Sequence, residues 1–381
     1  MSSVKSSSDA IRILHITFNM GIGGTEQVIR QLVLATREQG IHHEIVCIDG
    51  LRGAMGDLLA EAGVPVHTLD RSPGFDWALI RSLRALIRSG KFDIVHCHQY
   101  TPFVYGRLAA LGTEARVVFT EHGRFYPDRF RWKAIFINPL LAIITPALVA
   151  ISSATRKALA LYEFIPRYRI RVIYNGIQPL SADPDRVAEI RAELCIAEGA
   201  FVFGTVSRLD PVKNQKMMLR AFARCLETCP NSALVMVGDG PDRENLEVQA
   251  RSLGISDKVR FTGFINEPAQ YLALMDCFLL TSHTEGTSMT LLESMSLAIP
   301  AVVTDVGGNP EIVKGGETGL LVRGGDTEQF AGGMVMLQQS PELCERLGQC
   351  AQERFRQRFS VVAMADGYRQ LYDQVIQSRI V

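Results

Sequence analysis

The feature that most constrains this chain is an alternation of strand-sized and helix-sized segments that runs through it twice. The predicted strands of the first pass are residues 11–17, 44–48, 65–69, 93–97, 116–120 and 147–152, and those of the second are 201–207, 233–238, 258–263, 276–282, 300–305 and 318–322. Helical spacing of apolar residues predicts helices at 25–39, 212–228, 242–253 and 288–298. Apolar strands that alternate with amphipathic helices are typical of a parallel sheet covered on both faces. The sequence therefore predicts an α/β protein with two doubly wound, Rossmann-like units in tandem.

Between the two passes, residues 171–185 are rich in turn-forming side chains, and the domain boundary is placed there. The predicted domains are residues 1–180 and 181–359. Residues 360–381 are predicted to form a helix that packs back on the first domain, with one apolar face made of Met364, Tyr368, Leu371, Tyr372 and Val375.

Charge divides along the same line. Residues 1–180 carry 21 Lys and Arg against 14 Asp and Glu, whereas residues 181–381 carry 19 against 26. Opposite net charges of this kind indicate two domains that bind different partners.

Composition excludes several classes of protein. With 47% hydrophobic and 21% charged residues, the chain has enough apolar material to fold, and no apolar run reaches the about 18–20 residues of a membrane span. The first ten residues lack the apolar core of a signal peptide, and the eight cysteines include no C-x-x-C pair. No nucleic-acid-binding motif is present either. We therefore expect a reduced cytoplasmic protein that does not bind nucleic acid.

In open α/β sheets, ligands bind beyond the carboxyl ends of the strands, so the loops there are the candidate sites. The first such loop contains Gly21, Gly23 and Gly24 and opens a helix, where backbone amides can approach a phosphate group. The pattern is close to G-x-G-x-x-G, but Glu26 replaces the third glycine. A dinucleotide with Asp49 as the ribose acid and a tight turn without any ligand fit this loop equally well.

The second loop carries Arg208 and Lys213 between a strand and a helix. Two cations in such a loop suit a diphosphate, because arginine can bind two oxygen atoms while lysine supplies a mobile point charge. A solvated loop in which Asp210 forms a salt bridge explains the same spacing.

The third loop combines Glu285, the small residues Gly286, Thr287 and Ser288, and a second carboxylate, Glu293, on the following helix. Carboxylates accept hydrogen bonds from neighbouring hydroxyl groups, and loop amides bind anions, so this loop suits a nucleotide sugar. The alternative is a capping box, in which Thr290 and Glu293 only cap a helix that begins later.

Two histidines, His98 and His122, end strands of the first domain and are expected to face the ligand cleft. A single histidine in such a place is more often structural, but two near one cleft point to function.

Together these motifs resemble the retaining glycosyltransferases of family four, which have the GT-B fold with two Rossmann-like domains facing a central cleft. The resemblance covers nearly the whole chain and is densest over residues 201–322. Its motifs are the glycine loop at 21–24, S-R-L-x-P-x-K-N at 207–214, G-x-G-P at 238–241, E-x7-E from Glu285 to Glu293, G-G-N-P-E at 307–311 and T-G-L-L-V at 318–322.

This resemblance implies a role for each motif. Arg208 and Lys213 would bind the donor diphosphate, Glu293 the ribose hydroxyls, and Glu285 would lie against the donor sugar. Gly23, Gly24 and the amides at 286–288 would contact sugar and phosphate, Phe264 and Ile265 would border the base, and His122 would lie near the reacting sugar. Thr287, Ser288 and Met289 depart from the usual aromatic–glycine pair, and Ala298 and Ile299 stand where a glycine usually precedes Pro300.

By resemblance, the expected activity is transfer of a hexose-type sugar, with retention, from a nucleoside diphosphate sugar to a saccharide or lipid-linked acceptor in cell-surface polysaccharide synthesis. UDP-sugar is the expected donor. Neither a metal nor another cofactor is expected, since the D-x-D at Asp183–Asp185 lies in the linker and is predicted to be a turn. Within the fold, a sugar-nucleotide epimerase or a phosphorylase is the alternative. A dinucleotide-dependent oxidoreductase is a more distant one.

The acceptor side rests on residues 124–133, which are basic and aromatic and are followed by an apolar stretch. This composition suits contact with an anionic membrane surface on the cytoplasmic face of the inner membrane. A covered helix with snorkelling arginines fits the segment as well.

Overall fold

The computed structural model describes residues 10–123 and 134–378, which form two compact units. The first unit consists of residues up to Gly176 together with those from Val361 onward, and the second consists of Ile177–Ser360. The predicted boundary after residue 180 lies four positions beyond the observed one, at 176. The basic segment 124–133 lies outside the described residues.

The first unit is built on a seven-stranded parallel sheet in the order β3-β2-β1-β4-β5-β6-β7. Its strands are β1 Arg12–Thr17, β2 His42–Cys47, β3 Val66–Thr68, β4 Ile94–His98, β5 Arg116–Glu121, β6 Ala147–Ala150 and β7 Ile170–Val172. Its helices are α1 Gly24–Arg37, α2 Ala54–Glu61, α3 Trp77–Gly90, α4 Tyr100–Ala110, α5 Ala134–Ile144, α6 Ser153–Tyr162 and, at the end of the chain, α15 Val361–Gln377.

The second unit has a six-stranded parallel sheet in the order β10-β9-β8-β11-β12-β13. Its strands are β8 Phe201–Val206, β9 Ser232–Val237, β10 Val259–Gly263, β11 Cys277–Leu280, β12 Ala301–Thr304 and β13 Leu320–Val322. Its helices are α7 Pro184–Glu193, α8 Gln215–Thr228, α9 Arg243–Ser252, α10 Ala269–Ala273, α11 Met289–Ser296, α12 Asn309–Ile312, α13 Thr327–Gln339 and α14 Pro341–Arg358.

The two doubly wound units predicted from the sequence are confirmed, and each is held by its own apolar core around the sheet. The terminal helix α15 packs on α1 and buries the predicted face, which includes Tyr368 and Tyr372. The hydroxyl groups of both tyrosines have polar partners on the strands of the sheet. Tyr372 Oη lies 2.8 Å from His96 Nδ1, and Tyr368 Oη lies 3.1 Å from Thr120 Oγ1. No helix among the described residues combines the length and the apolar character that crossing a bilayer requires.

Three local predictions are wrong. The stretch 171–185 is not all linker, since Arg171 and Val172 belong to β7. Asp183 and Asp185 do not form a turn: Asp183 caps α7, and its carboxylate accepts a hydrogen bond from the Asp185 amide at 3.0 Å. The helix predicted from residue 212 begins at Gln215, because Asn214 adopts the left-handed conformation with φ 52° and ends a short 3₁₀ turn.

Candidate functional site

The sheet order of the second unit creates one position where loops diverge. Strands β8 and β11 are neighbours, and the chain leaves them toward opposite edges of the sheet. Such a switch point is where ligands bind in doubly wound folds, because the two loops leave a crevice at the carboxyl ends of the strands. Lys213 follows β8 and Glu285 follows β11, so both candidate loops border this crevice.

The structure joins Lys213 and Glu285 directly. Lys213 Nζ lies 2.7 Å from Glu285 Oε1, and the Ser282 hydroxyl donates to the same oxygen at 2.6 Å. The Glu285 side chain is 9% exposed and that of Lys213 is 25% exposed, so the pair is largely shielded from water. A carboxylate that accepts from both an ammonium group and a hydroxyl group is held in one orientation.

Backbone contacts lock these two loops together. The Thr281 hydroxyl lies 3.0 Å from both the Lys213 and the Asn214 carbonyl oxygens, and the His283 amide donates to the Val212 carbonyl at 2.8 Å. The backbone position of Lys213 is therefore fixed by contacts with the loop that leads from β11 to Glu285. The two side chains form one structural group.

Arg208 behaves differently from Lys213. Its side chain is 71% exposed, and its Nε lies 3.7 Å from Asp210 Oδ2. The solvated alternative considered for this loop thus describes Arg208, whereas it does not describe Lys213. The exposed guanidinium is available to a ligand at low cost, since an ion pair of this kind contributes little stability.

Glycines bring other loops against the site. Gly307 has φ +53°, and a Cβ atom there would overlap the Glu285 carbonyl oxygen, to which the Gly308 amide donates at 2.9 Å. Gly238 and Gly240 approach the carbonyl oxygens of Ser207 and Leu209 in the same way. These glycines belong to the G-x-G-P and G-G-N-P-E motifs of the sequence, and their missing side chains allow close contact with the loops of Lys213 and Glu285.

Helix α11 settles the role of Thr290. The N-cap is Ser288, whose hydroxyl accepts from the Leu291 amide at 3.3 Å, so Thr290 lies inside the helix. The capping-box alternative for Thr290 and Glu293 is therefore wrong, because Glu293 is the fifth helical residue and lies beyond the reach of the cap. Glu293 is 8% exposed, and a carboxylate this buried is not a solvated surface group.

The remaining predicted residues of the second unit lie around these loops. Gly286 and Thr287 are half-buried between Glu285 and the start of α11. After β10, Phe264 is 63% exposed and Ile265 is half-buried. An exposed phenylalanine beside a half-buried isoleucine offers an apolar surface on which a planar ring can stack.

In the first unit, the glycine loop is partly occupied by its own chain. Gly23 is the N-cap of α1 and has no side chain to satisfy the helix amides. A Cβ atom on Gly23 would overlap Glu26 Oε2, and burial raises the pKa of the Glu26 carboxyl. The residue that replaces the third glycine of the motif thus covers this end of the helix, while Gly24 stays exposed.

His122 belongs to a group of five histidines beneath α1 and α15. His15, His43, His96 and His98 are buried, at 3% exposure or less, whereas His122 is half-buried at the end of β5. His98 is therefore inside the unit and does not face a cleft as predicted, since both its nitrogen atoms contact other histidines. Burial lowers the pKa of His15 and of His122 to about 3, so both rings are neutral at physiological pH.

The sequence signalled two of these five histidines, because only His98 and His122 end predicted strands. His15, His43 and His96 lie within strands, where a single polar residue carries little information. The available signal was their spacing: His96 and His98 are two residues apart and so lie on one face of β4, and β1 is its neighbour. Nitrogen atoms of His15, His96 and His98 lie within 4.8 Å of one another, near enough to share a metal ion.

Helix α5, which follows the basic segment, has an apolar exposed surface. Its large apolar side chains are exposed by between 39% and 85%, namely Ile135, Phe136, Ile137, Leu140, Ile143 and Ile144. This face is not covered by other described residues, which disagrees with the alternative of a covered helix for this part of the chain. Contiguous apolar side chains at a surface usually mark an interaction site.

Comparison with known proteins gives the family. Residues 22–179 match the family model described as Glycosyltransferase Family 4, and residues 187–354 match the one described as Glycosyl transferases group 1. The EpsD protein of Bacillus subtilis (strain 168), named as a glycosyltransferase, is 30% identical over 78% of this chain and 81% of its own length. The UDP-Gal:alpha-D-GlcNAc-diphosphoundecaprenol alpha-1,3-galactosyltransferase of Escherichia coli is 25% identical over 99% of this chain and 100% of its own.

Solved structures agree on the architecture. The crystal structure of Anabaena HepE in complex with UDP superposes with a TM-score of 0.84 at 23% identity and covers 96% of this chain and 100% of that one. A likeness at this identity shows the GT-B fold predicted from the sequence. The family matches do not favour an oxidoreductase, an epimerase or a phosphorylase. The chain belongs to glycosyltransferase family 4 and is a glycosyltransferase with the GT-B fold.

Proposed function

We propose that this glycosyltransferase moves a hexose-type sugar, with retention of configuration, from a UDP-sugar to a saccharide or lipid-linked acceptor in cell-surface polysaccharide synthesis. The observation that carries the proposal is the shielded pair of Lys213 and Glu285 at the switch point between β8 and β11. The UDP bound to HepE and the diphosphoundecaprenol acceptor in the name of the Escherichia coli relative support the choice of donor and acceptor.

The pair explains how a diphosphate is received. When its phosphates arrive, Lys213 exchanges the Glu285 carboxylate for phosphate oxygens, and exposed Arg208 folds in beside it. Glu285 keeps the Ser282 hydrogen bond and turns its charge toward the positive charge that develops on the sugar. Fixed cations stabilise the leaving diphosphate more in the transition state than in the ground state, which is the condition for catalysis.

In the transfer itself, the bond from the anomeric carbon to the phosphate oxygen breaks. A bond from the acceptor oxygen forms on the same face, and the acceptor proton passes to the departing phosphate oxygen. Glu285 acts as an electrostatic and positioning group and not as a nucleophile. The two cations supply the positive charge that a metal ion would otherwise give, so we propose that the reaction is independent of metal.

For the other site residues we propose the roles that the family resemblance implies. Glu293 accepts hydrogen bonds from the ribose, while Phe264 and Ile265 border the base. The amides of Gly286, Thr287 and Ser288 contact sugar and phosphate, Gly23 and Gly24 are donor-binding residues, and His122 lies near the reacting sugar, as the resemblance implies.

A donor screen tests this function. The purified chain is incubated with UDP-, GDP- and ADP-sugars and a polyprenyl diphosphate-linked acceptor, and nucleoside diphosphate release is measured. We expect release from a UDP-sugar, undiminished by EDTA, and an unchanged anomeric configuration in the NMR spectrum of the product. Inversion at the anomeric carbon, or activity that EDTA abolishes, would contradict the mechanism.

A second part of the proposal concerns the membrane. The exposed apolar face of α5 follows the basic segment 124–133, and this order suits a protein that rests on an anionic surface at the cytoplasmic face of the inner membrane. Phe136 is 85% exposed and is the best probe of this face.

Co-sedimentation with vesicles tests membrane contact. Phe136→Glu should reduce binding to anionic vesicles, because it places a charge on the apolar face. Tyr168→Glu is the matched control, since Tyr168 is 86% exposed but lies in the separate 3₁₀ turn Arg167–Arg169. Equal binding of both variants, or no preference of the parent protein for anionic over neutral vesicles, would argue against this surface.

A further inference from the structure

Three buried histidines and the half-buried His122 form one continuous series of ring contacts. His43 Nδ1 lies 3.0 Å from His15 Nε2, His15 Nδ1 lies 2.9 Å from His98 Nε2, and His98 Nδ1 lies 2.8 Å from His122 Nε2. At the far end, His43 Nε2 lies 2.9 Å from the Thr36 hydroxyl. The chain therefore runs from α1 across β2, β1 and β4 to the end of β5.

The proton of Thr36 sets the direction of this chain. Thr36 Oγ1 lies 2.6 Å from the Leu32 carbonyl oxygen, which can only accept, so the hydroxyl proton is committed to that bond. The hydroxyl must then accept from His43, which places the His43 proton on Nε2 and leaves Nδ1 as an acceptor.

Each ring passes the same polarity to the next. A neutral imidazole donates from one nitrogen and accepts at the other, so His15 donates from Nε2 to His43, His98 from Nε2 to His15, and His122 from Nε2 to His98. His122 is left with Nδ1 as a bare acceptor. That atom is buried and has no hydrogen-bond partner among the residues that the structure describes.

Burial supports this uniform neutral state. It lowers the pKa of His15 to about 3 and moves the pKa values of His43 and His98 well below their ordinary range. His96 stands apart from the chain, because its nitrogen atoms contact Tyr372 Oη and Thr120 Oγ1, each at 2.8 Å.

We propose that Thr36, His43, His15 and His98 are positioning residues that fix His122 as its Nε2–H tautomer, so that Nδ1 accepts a hydrogen bond from a ligand hydroxyl group. The identity of that ligand as a sugar rests on the proposed function. A neutral acceptor of this kind selects a hydroxyl over a carboxylate, which has no proton to donate.

Histidine NMR tests the proposal without any substrate. In the full-length protein labelled with ¹⁵N-histidine, long-range proton–nitrogen spectra report the tautomer of each ring, and His122→Gln assigns the His122 signals. We expect Nε2–H at His43, His15, His98 and His122. An Nδ1–H tautomer at His122 would overturn the proposal.

Variants of Thr36 test the source of the direction. Thr36→Val removes the acceptor for His43, so His122 should show both tautomers and kcat/KM for sugar transfer should fall about tenfold. Thr36→Ser keeps the hydroxyl group, so we expect the single Nε2–H tautomer of His122 and the parent value of kcat/KM in this variant. The matched control is Thr145→Val, because Thr145 is equally buried and bonds the Leu141 carbonyl at 2.6 Å but contacts no histidine among the described residues. An unchanged His122 tautomer in a folded Thr36→Val protein would refute the role of Thr36.

A metal ion is the competing occupant. Zinc shared by His15, His96 and His98 would require a lone pair on His98 Nε2 or Nδ1 and would break the hydrogen bonds between the histidine rings. Stoichiometric zinc in the purified protein would therefore overturn the proposal. The two proposals fail separately. Absence of transfer from every donor, with Nε2–H at all four rings, would reject the proposed function and support the tautomer chain. Transfer with an Nδ1–H His122 would do the reverse.

Discussion

The two units share one sheet order around their switch points but fill those points with different chemistry. Between β1 and β4 of the first unit lie histidines that burial keeps neutral. Between β8 and β11 of the second lies the ion pair of Lys213 and Glu285. The second unit can keep its charges because each charge has a partner and Lys213 remains partly exposed. The comparison teaches that one fold position can hold either buried neutral groups that bond to one another or a partly exposed ion pair whose cation suits a diphosphate.

The largest expected difference between the two units is in how far acidification lowers their stability. Unfolded histidine titrates near pH 6.5, whereas burial lowers the pKa of His15 and His122 to about 3 and those of His43, His96 and His98 well below the ordinary value. The unfolded chain thus binds protons that the folded unit does not. The contribution of these neutral histidines to the free energy of unfolding is complete above about pH 6.5 and falls as the pH drops toward 3. At about pH 5.5 the loss is on the order of 1 kcal/mol for each histidine.

Calorimetry at about pH 7.5 and pH 5.5 measures this difference. We expect the unfolding transition of the first unit to shift to lower temperature much more than that of the second, whose single histidine, His283, is exposed. Equal shifts of both transitions would show that the buried histidines do not govern acid stability.

Removing the positive charge of Lys213 from the second unit should have the next largest effect, and that effect is on activity. Lys213→Ala deletes the cation proposed to bind the diphosphate and leaves Glu285 shielded and without its ion pair, so kcat/KM should fall about 100- to 1,000-fold, or about 3–4 kcal/mol. Lys216→Ala is the control, since Lys216 lies 3.3 Å from Asp242 Oδ1 and its side chain is 46% exposed. Steady-state kinetics with the donor varied decide the matter. Similar activity of both variants would remove Lys213 from the site.

Crowding the loop of Glu285 should lower activity less than the loss of Lys213 does. Gly307→Ala places a Cβ atom against the Glu285 carbonyl and also strains a backbone with positive φ, so kcat should fall about 10- to 30-fold. Gly316→Ala separates the two causes, because Gly316 has φ +77° with no atom within 4 Å of the added Cβ. If both variants lose only thermal stability and keep the same kcat, the contact of Gly307 with Glu285 has no catalytic importance.

The smallest effect is expected at Glu293. Glu293→Gln weakens the proposed contact to the ribose, which is held equally in ground and transition states, so donor KM should rise about fivefold to tenfold with little change in kcat. Thr290→Ala is the neighbouring control, because Ser288 and not Thr290 caps α11. A loss of melting temperature in Glu293→Gln with unchanged KM would make Glu293 structural.

Much of the second unit was predictable because its signals are local. Glu285 and the small residues after it stand between a strand and a helix within a few residues, and Lys213 stands in a comparable loop. The first unit was harder to predict, since His15, His43 and His96 are single polar residues inside apolar strands. Local rules also failed where two caps competed. Ser288 and Thr290 are both good N-cap residues, and only the backbone decides which of them starts α11.

By itself, the sequence determined that the chain forms two parallel α/β units and which residues stand at the ends of their strands, because hydrophobic period and turn chemistry act over short distances. The tertiary structure alone decided which of those ends meet. Lys213 and Glu285 are 72 positions apart, and His15 and His98 are 83 apart, yet each pair touches. They touch because β8 lies beside β11 and β1 beside β4, an order that follows from the packing of crossover helices on both faces of a sheet.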